Sequence, residues 1–225
     1  MKLLDEIEAE ISAIDWKDIE LAYTNASRAL RKIGSDPHTL SELLMHASKD
    51  AELNELSEHY DILDKIVLGD FKGTGMRLRL HVFANGYFDR PHNHRWPYAS
   101  TILSGSYLHR IFAASVEKLE QGVEVSALPV CQAQQLKAGD SYALGTDVVH
   151  SITAAPGTIS MILRGPSQSD RFLVMDRVSN MSWWQYGRAN ESPAQIASKR
   201  MRPESFARAI DRVKLAGLVP ADYHL

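Results

Sequence analysis

Nine histidines stand in this chain of 225 residues, and three of them fall where they could act together. His92 and His94 flank one asparagine in Arg90-Pro-His-Asn-His94. On an extended segment, residues two apart point to the same face, so both imidazoles can reach one point. His150 is a third candidate, at the end of Gly139-Asp-Ser-Tyr-Ala-Leu-Gly145-Thr-Asp-Val-Val-His150. Three neutral imidazoles suit iron, zinc, copper, nickel or cobalt. They leave coordination positions open for water, substrate or O₂.

Other polar side chains repeat at strand spacing. In Met76-Arg-Leu-Arg-Leu-His-Val82, Arg77, Arg79 and His81 share one face, and Leu78, Leu80 and Val82 the other. The trio is either a solvated face or, with the leucines under helices, the lining of an interior where arginine clamps a substrate carboxylate in a fork. Flanking helices need an apolar sheet face, which favours the second reading. Tyr98 also has two readings: a phenol aimed at the histidines as acid or hydrogen-bond donor, or a core aromatic. Tyr107 and His109 alternate in the same way and would extend a polar lining. Arg95 and Trp96 would form a rim, Asp176 would support a histidine, and Asp140 and Asp147 read as turn residues.

The elements that must position these groups change along the chain. Residues 1–69 read as a helical extension. Leu3, Leu4, Ile7, Ile11 and Ile14 form one apolar stripe, and Ile19, Leu21, Ala22, Ala26, Leu30 and Ile33 a second that stops at Gly34. Asp36-Pro37 reads as a turn, with Thr39 and Glu42 at capping-box spacing. Residues 70–180 hold short apolar runs broken by glycines, the pattern of an all-β sandwich or barrel. The runs are 98–103, 107–113, 123–130, 141–144, 151–154, 158–163 and 172–178, and the stretch 118–137 around Cys131 reads as loop-like. Residues 181–225 read as a helical C-terminal extension. It starts at Ser192-Pro193, continues after Pro203 and ends near Gly217, with Trp183-Trp184 as a plug beneath it.

Composition narrows the function. Twenty-five basic and 28 acidic residues leave a net charge of −3, which gives no electrostatic reason to expect nucleic acid. No apolar run approaches the roughly 18 residues of a membrane span, and the start of the chain does not read as a secretory signal. One cysteine excludes an intrachain disulfide and fits a reducing cytoplasm.

The histidine stretches resemble the paired motifs of the cupin superfamily. The first motif runs Gly, five residues, His-x-His, three or four residues, Glu, six residues, Gly. Gly86, His92, His94, Tyr98 and Gly105 keep that frame, with Tyr98 in place of Glu. In the second motif Gly139 and His150 keep the frame, and Gly145 and Asp147 occupy the positions of Pro and Gly. The resemblance implies an all-β core, a double-stranded β-helix or jelly-roll barrel, with helices at both ends. It also implies one divalent metal on His92, His94 and His150. Without the Glu, the site is similar to the three-histidine centres of the thiol dioxygenase branch, which hold Fe(II), with Zn(II) as the next expectation.

The expected activity is an Fe(II)- and O₂-dependent oxygenase on a small carboxylate-bearing, amino-acid- or thiol-derived substrate. Arg77, Arg79 and His81 would bind it, and Tyr98 would manage a proton. The rivals are zinc-type rearrangement, isomerisation or bond formation on an amino-acid-derived intermediate, and a non-catalytic binding module. A homodimer is left open.

Overall fold

A computed structural model describes residues 2–85, 87–113, 121–122, 124 and 128–224. Four helices come first: α1 (Lys2–Ile11), α2 (Ile19–Gly34), α3 (Pro37–Lys49) and α4 (Ala51–Leu56). The stripe of α2 is buried through Ala22, Ala26, Leu30 and Ile33, while Ile19 and Leu21 lie exposed at its start. Asp36-Pro37 is a helix start rather than a free turn. The Asp36 carboxylate accepts from the His38 amide and from the Thr39 hydroxyl, so Asp36 is the cap and Thr39 lies inside the first turn.

Strands begin earlier than the boundary at residue 69. β1 (Glu58–Tyr60) and β2 (Leu63–Phe71) precede it. The continuous run Ile66-Val-Leu68 hides the two-residue period because all three side chains are buried at a register shift. β3 (Met76–Phe83), β4 (Tyr87–Phe88), β5 (Tyr98–Ser104), β6 (Ser106–Phe112), β7 (Val130–Lys137), β8 (Ser141–Leu144), β9 (His150–Ala154), β10 (Ile159–Arg164), β11 (Arg171–Asp176) and β12 (Met181–Tyr186) follow. The expected run 123–130 lies largely outside the described residues. Cys131 sits on β7, exposed, rather than in a loop.

The strands make the expected all-β core. One antiparallel sheet has the order β1-β2-β3-β10-β5-β8, and facing it are the four strands β4-β9-β6-β7 and the pair β11-β12. His92 joins the last two groups by bridging to His150 on β9 and to Val174 on β11. The helices pack on one face of the six-stranded sheet. Ala26, Leu30, Leu40 and Leu44 cluster there with Leu78, Leu80 and Val82 of β3 and with Phe206 and Ile210 of α6 (Pro203–Leu215). Burying each leucine in that layer stabilises the fold by about 1.5–3 kcal/mol. Helix α5 (Pro193–Ser198) starts at a Ser192/Gln195 capping box, as the sequence indicates.

With the leucines of β3 under the helices, the alternate residues face inward. The interior is apolar at one end, where Leu63, Phe83, Ile102, Tyr107 and Ile152 cluster. It becomes polar along β3 toward His81, Arg79 and Arg77. Trp183 and Trp184 belong to β12, where Trp184 packs beside Leu173 and Met175. They do not lie under the C-terminal helix, because α6 packs on β2 and β3 instead.

Candidate metal centre

The strand pairing brings three distant histidines together. His92 and His150 exchange two backbone hydrogen bonds of 2.9 Å, which fixes His92 against β9. Asn93 anchors the same segment from its other side: its Oδ1 accepts from the Leu173 amide and its Nδ2 donates to the Thr146 carbonyl. His94 then turns back onto His150. One ring nitrogen from each of His92, His94 and His150 lies within 4.8 Å of the others.

The tautomers follow from the neighbours. The Nδ1 of His92 lies 2.7 Å from the Arg90 carbonyl, which only accepts, so Nδ1 carries a proton. Asp89, 3.3 Å from the same Nδ1, reinforces that proton. The Nε2 atoms of His94 and His150 face each other at 2.9 Å. Behind them, His109 Nε2 stands 3.1 Å from His150 Nδ1, so a protonated His150 Nδ1 donates to it and leaves Nε2 free. Burial, then the positive potential of neighbouring groups, holds His94 and His150 well below the usual imidazole range. With His94 and His150 held neutral and one nitrogen of His92 beside theirs, the three rings form a donor set that suits a divalent transition metal. A shared cation satisfies all three at once.

Tyr98 faces this cluster. Its hydroxyl lies 3.2 Å from His150 Nε2 and 3.5 Å from the Tyr142 hydroxyl, and only 3% of the residue is exposed. Burial, aided by Tyr142, pushes the phenol well above its usual range, so it keeps its proton and can donate it. The hydroxyl is aimed at the histidine cluster, while the ring packs with Leu144 and Ile162. Trp96 stacks on the His94 ring at 4.7 Å, and Phe172 meets His92 at 6.4 Å.

Beside the histidines opens a cavity of about 410 Å³, with Trp96 and Phe172 in its wall. Arg77 and Arg79 line it. Arg77 Nε donates to Asp70 Oδ1 at 2.6 Å, so its charge is compensated. His81 is buried further in, opposite Lys65 on β2, and its Nε2 has no partner among the described residues. Burial first, then Lys65 and Arg79, keep it neutral. Asp176 does not support a histidine: it lies 3.7 Å from Arg90 and caps the Val178 amide, and Asp89 takes the place at His92 instead.

Sequence reading missed two cavity residues. Arg164 ends β10 opposite Arg77 and Tyr98, on the inward face with Ser160 and Ile162. Extending the alternation of that strand by one residue would have found it. Lys65 lay hidden in the stretch read as helical.

Comparison with protein-family models gives no match, and comparison with curated proteins gives none. The solved structures to which the chain is similar are cupin-type proteins. An RmlC-like cupin from Shewanella frigidimarina shares 20% identity over 51% of this chain and 86% of its own, with a TM-score of 0.38. KdgF from Halomonas sp. shares 14% identity over 48% of this chain and 82% of its own, at 0.36. A cupin superfamily protein from Desulfitobacterium hafniense shares 14% over 48% and 81%, at 0.35. Similarity of this extent says nothing of activity or substrate.

Proposed function

We propose that this chain is a metal-dependent enzyme, an Fe(II)- and O₂-dependent oxygenase acting on a small carboxylate-bearing substrate derived from an amino acid or thiol. One observation carries the reading: three imidazoles converge, and Trp96 and Phe172, which touch two of their rings, also wall a half-open cavity rich in cations. With no carboxylate among the ligands, a ferrous ion there would keep its full double charge and supply one-electron chemistry with O₂ and affinity for an anionic donor. The rest falls to the protein. Arg79 orients the carboxylate, Trp96 and Phe172 exclude water beside the ligands, and Tyr98 holds a proton at its hydroxyl oxygen.

A second reading is favoured by the Tyr98–Tyr142 contact. A protonated buried phenol backed by another is a general acid, which suits non-redox rearrangement, isomerisation or bond formation on an amino-acid-derived intermediate, with Zn(II) as Lewis acid.

Elemental mass spectrometry on the wild type and His92→Ala, after purification without added metal, tests both. Near-stoichiometric iron that is lost in the variant, with O₂ uptake on amino acids or thiols, is the expected result. Zinc that persists when iron is supplied would overturn the oxygenase in favour of the second reading. No metal in either protein after reconstitution would overturn both.

A further inference from the structure

The charge inventory of the cavity does not close. Seven cationic side chains line it against three acids, and Asp70 and Glu55 add two more acids from just outside. Arg77 is held by Asp70. Lys199 lies between Glu58 at 2.8 Å and Glu191 at 2.6 Å. Arg188 reaches Glu55, and Arg95 donates to the Ser167 hydroxyl and the Ser169 carbonyl. Lys65 touches Glu58 only at 3.7 Å.

Arg79 and Arg164 remain. Neither forms an ion pair or a hydrogen bond among the described residues, and the Nε of each is shielded from solvent without a partner. Arg164 has only the Trp96 ring, 5.7 Å away. Burial lowers both guanidinium groups: Arg79 to about 10, with the Glu58 charge opposing and Arg77 adding to the fall, and Arg164 to about 9, with Arg79 and Arg77 adding to it. Two half-buried arginines, each with its Nε shielded and unpaired, incur a desolvation cost that an anion would offset.

We propose that this cavity binds an organic dianion, its two negative charges held between Arg79, Arg164 and Lys65, and that such dianions are the substrate class of the adjacent centre. The second clause rests on the enzymatic reading above; the first does not. Two charges match the two left over. Each arginine presents a planar fork to oxygen acceptors, which both a phosphoryl group and a pair of carboxylates supply. A monoanion would leave one buried guanidinium bare.

Isothermal titration calorimetry on metal-stripped protein, with inorganic phosphate, succinate and acetate, tests it. The expected result is that phosphate or succinate binds at least about tenfold more tightly than acetate, and the tighter of the two tells a phosphoryl group from a dicarboxylate. Arg79→Gln and Arg164→Gln each lose about tenfold or more, while His92→Ala binds the dianion within about twofold of the wild type. Acetate binding as tightly as both dianions, no binding of either dianion, or undiminished binding by the arginine variants would overturn the proposal. A wild type that binds the dianion yet takes up no metal on reconstitution overturns the enzymatic reading alone. Thermal unfolding guards against a purely structural role. Ligand-free Arg79→Gln and Arg164→Gln should melt no lower than the wild type, since each removes an unpaired buried cation, and should lose the dianion-induced rise. Variants that melt lower, or fail to fold, would mark the arginines as structural and sink the proposal.

Discussion

The Nε2 atoms of His94 and His150 face each other at 2.9 Å although 56 residues separate them. Two neutral rings in that pose set lone pair against lone pair unless a proton or a cation lies between. Metal should therefore stabilise the fold. At free metal a thousandfold above Kd, linkage gives about 4 kcal/mol, or about 8–16 °C in a chain of this size. Melting with and without a strong chelator should show that difference in the wild type and none in His92→Ala. Equal melting of both forms of the wild type would mean that no metal is held.

His109 should act through His150. Its Nε2 is the acceptor that lets His150 keep its proton on Nδ1. Such supporting bonds are worth about 10–100-fold in metal affinity. His109→Ala should weaken metal binding by that factor, measured by competition with a chelator. His109→Asn, whose side-chain oxygen can also accept, should recover part of it. Unchanged affinity in His109→Ala would remove His109 from the site.

The three clustered histidines were legible because their determinants are local: an alternating segment and a turn of fixed length. So was the inward face of β3, where Leu78 and Leu80 alternate cleanly with Arg77 and Arg79. What failed depended on tertiary context. β2 is buried on both faces around Ile66–Leu68, which erases the period that marks a half-buried strand. Lys65 was lost with it. Trp183 and Trp184 gave no sign that they belong to a hairpin with β11, because their partners lie across a turn. Arg79 and Arg164 come to line one cavity only when β3 and β10 meet in register, Ile162 opposite Arg79 and Arg164 opposite Arg77.

Gly105 tests the turn between β5 and β6. Its φ is +80°, and a Cβ there would meet Thr158 atoms at 2.8–2.9 Å and still closer at the hydroxyl. Both the dihedral and the contact with Thr158 backbone oppose a side chain. Gly105→Ala should cost about 1–3 kcal/mol or more, read as a lower urea midpoint with an unchanged slope. A midpoint equal to that of the wild type would contradict the turn geometry.

Acid should destabilise the metal-free protein before its carboxylates titrate. Burial holds His109 down to about 4, and burial with Lys65 and Arg79 holds His81 well below its usual range. In the unfolded chain both titrate near 6.5. Below that value the unfolded state binds protons that the folded state refuses, so stability falls with pH by about 1.4 kcal/mol per unit for each group. Above it these groups contribute no slope. Urea midpoints at about pH 7, 6 and 5 should drop in step, and His81→Gln should flatten the drop. A midpoint constant over that range would mean that the rings are protonated inside the fold.

Tyr98 separates chemistry from structure. Its hydroxyl touches His150 Nε2 and Tyr142, but the ring itself is packed with Leu144 and Ile162. Tyr98→Phe keeps that packing and deletes only the oxygen. The loss of one buried hydrogen bond should cost about 0.5–1.5 kcal/mol, too little to unfold the chain. Metal content should not change, since three imidazoles remain. Turnover should fall by about 10²–10⁴, the usual share of a positioned proton donor, with a smaller change in KM. The split is the point of the measurement. A fall in kcat at constant metal content places the phenol in the reaction, whereas a parallel loss of metal would make Tyr98 a support for His150 and nothing more.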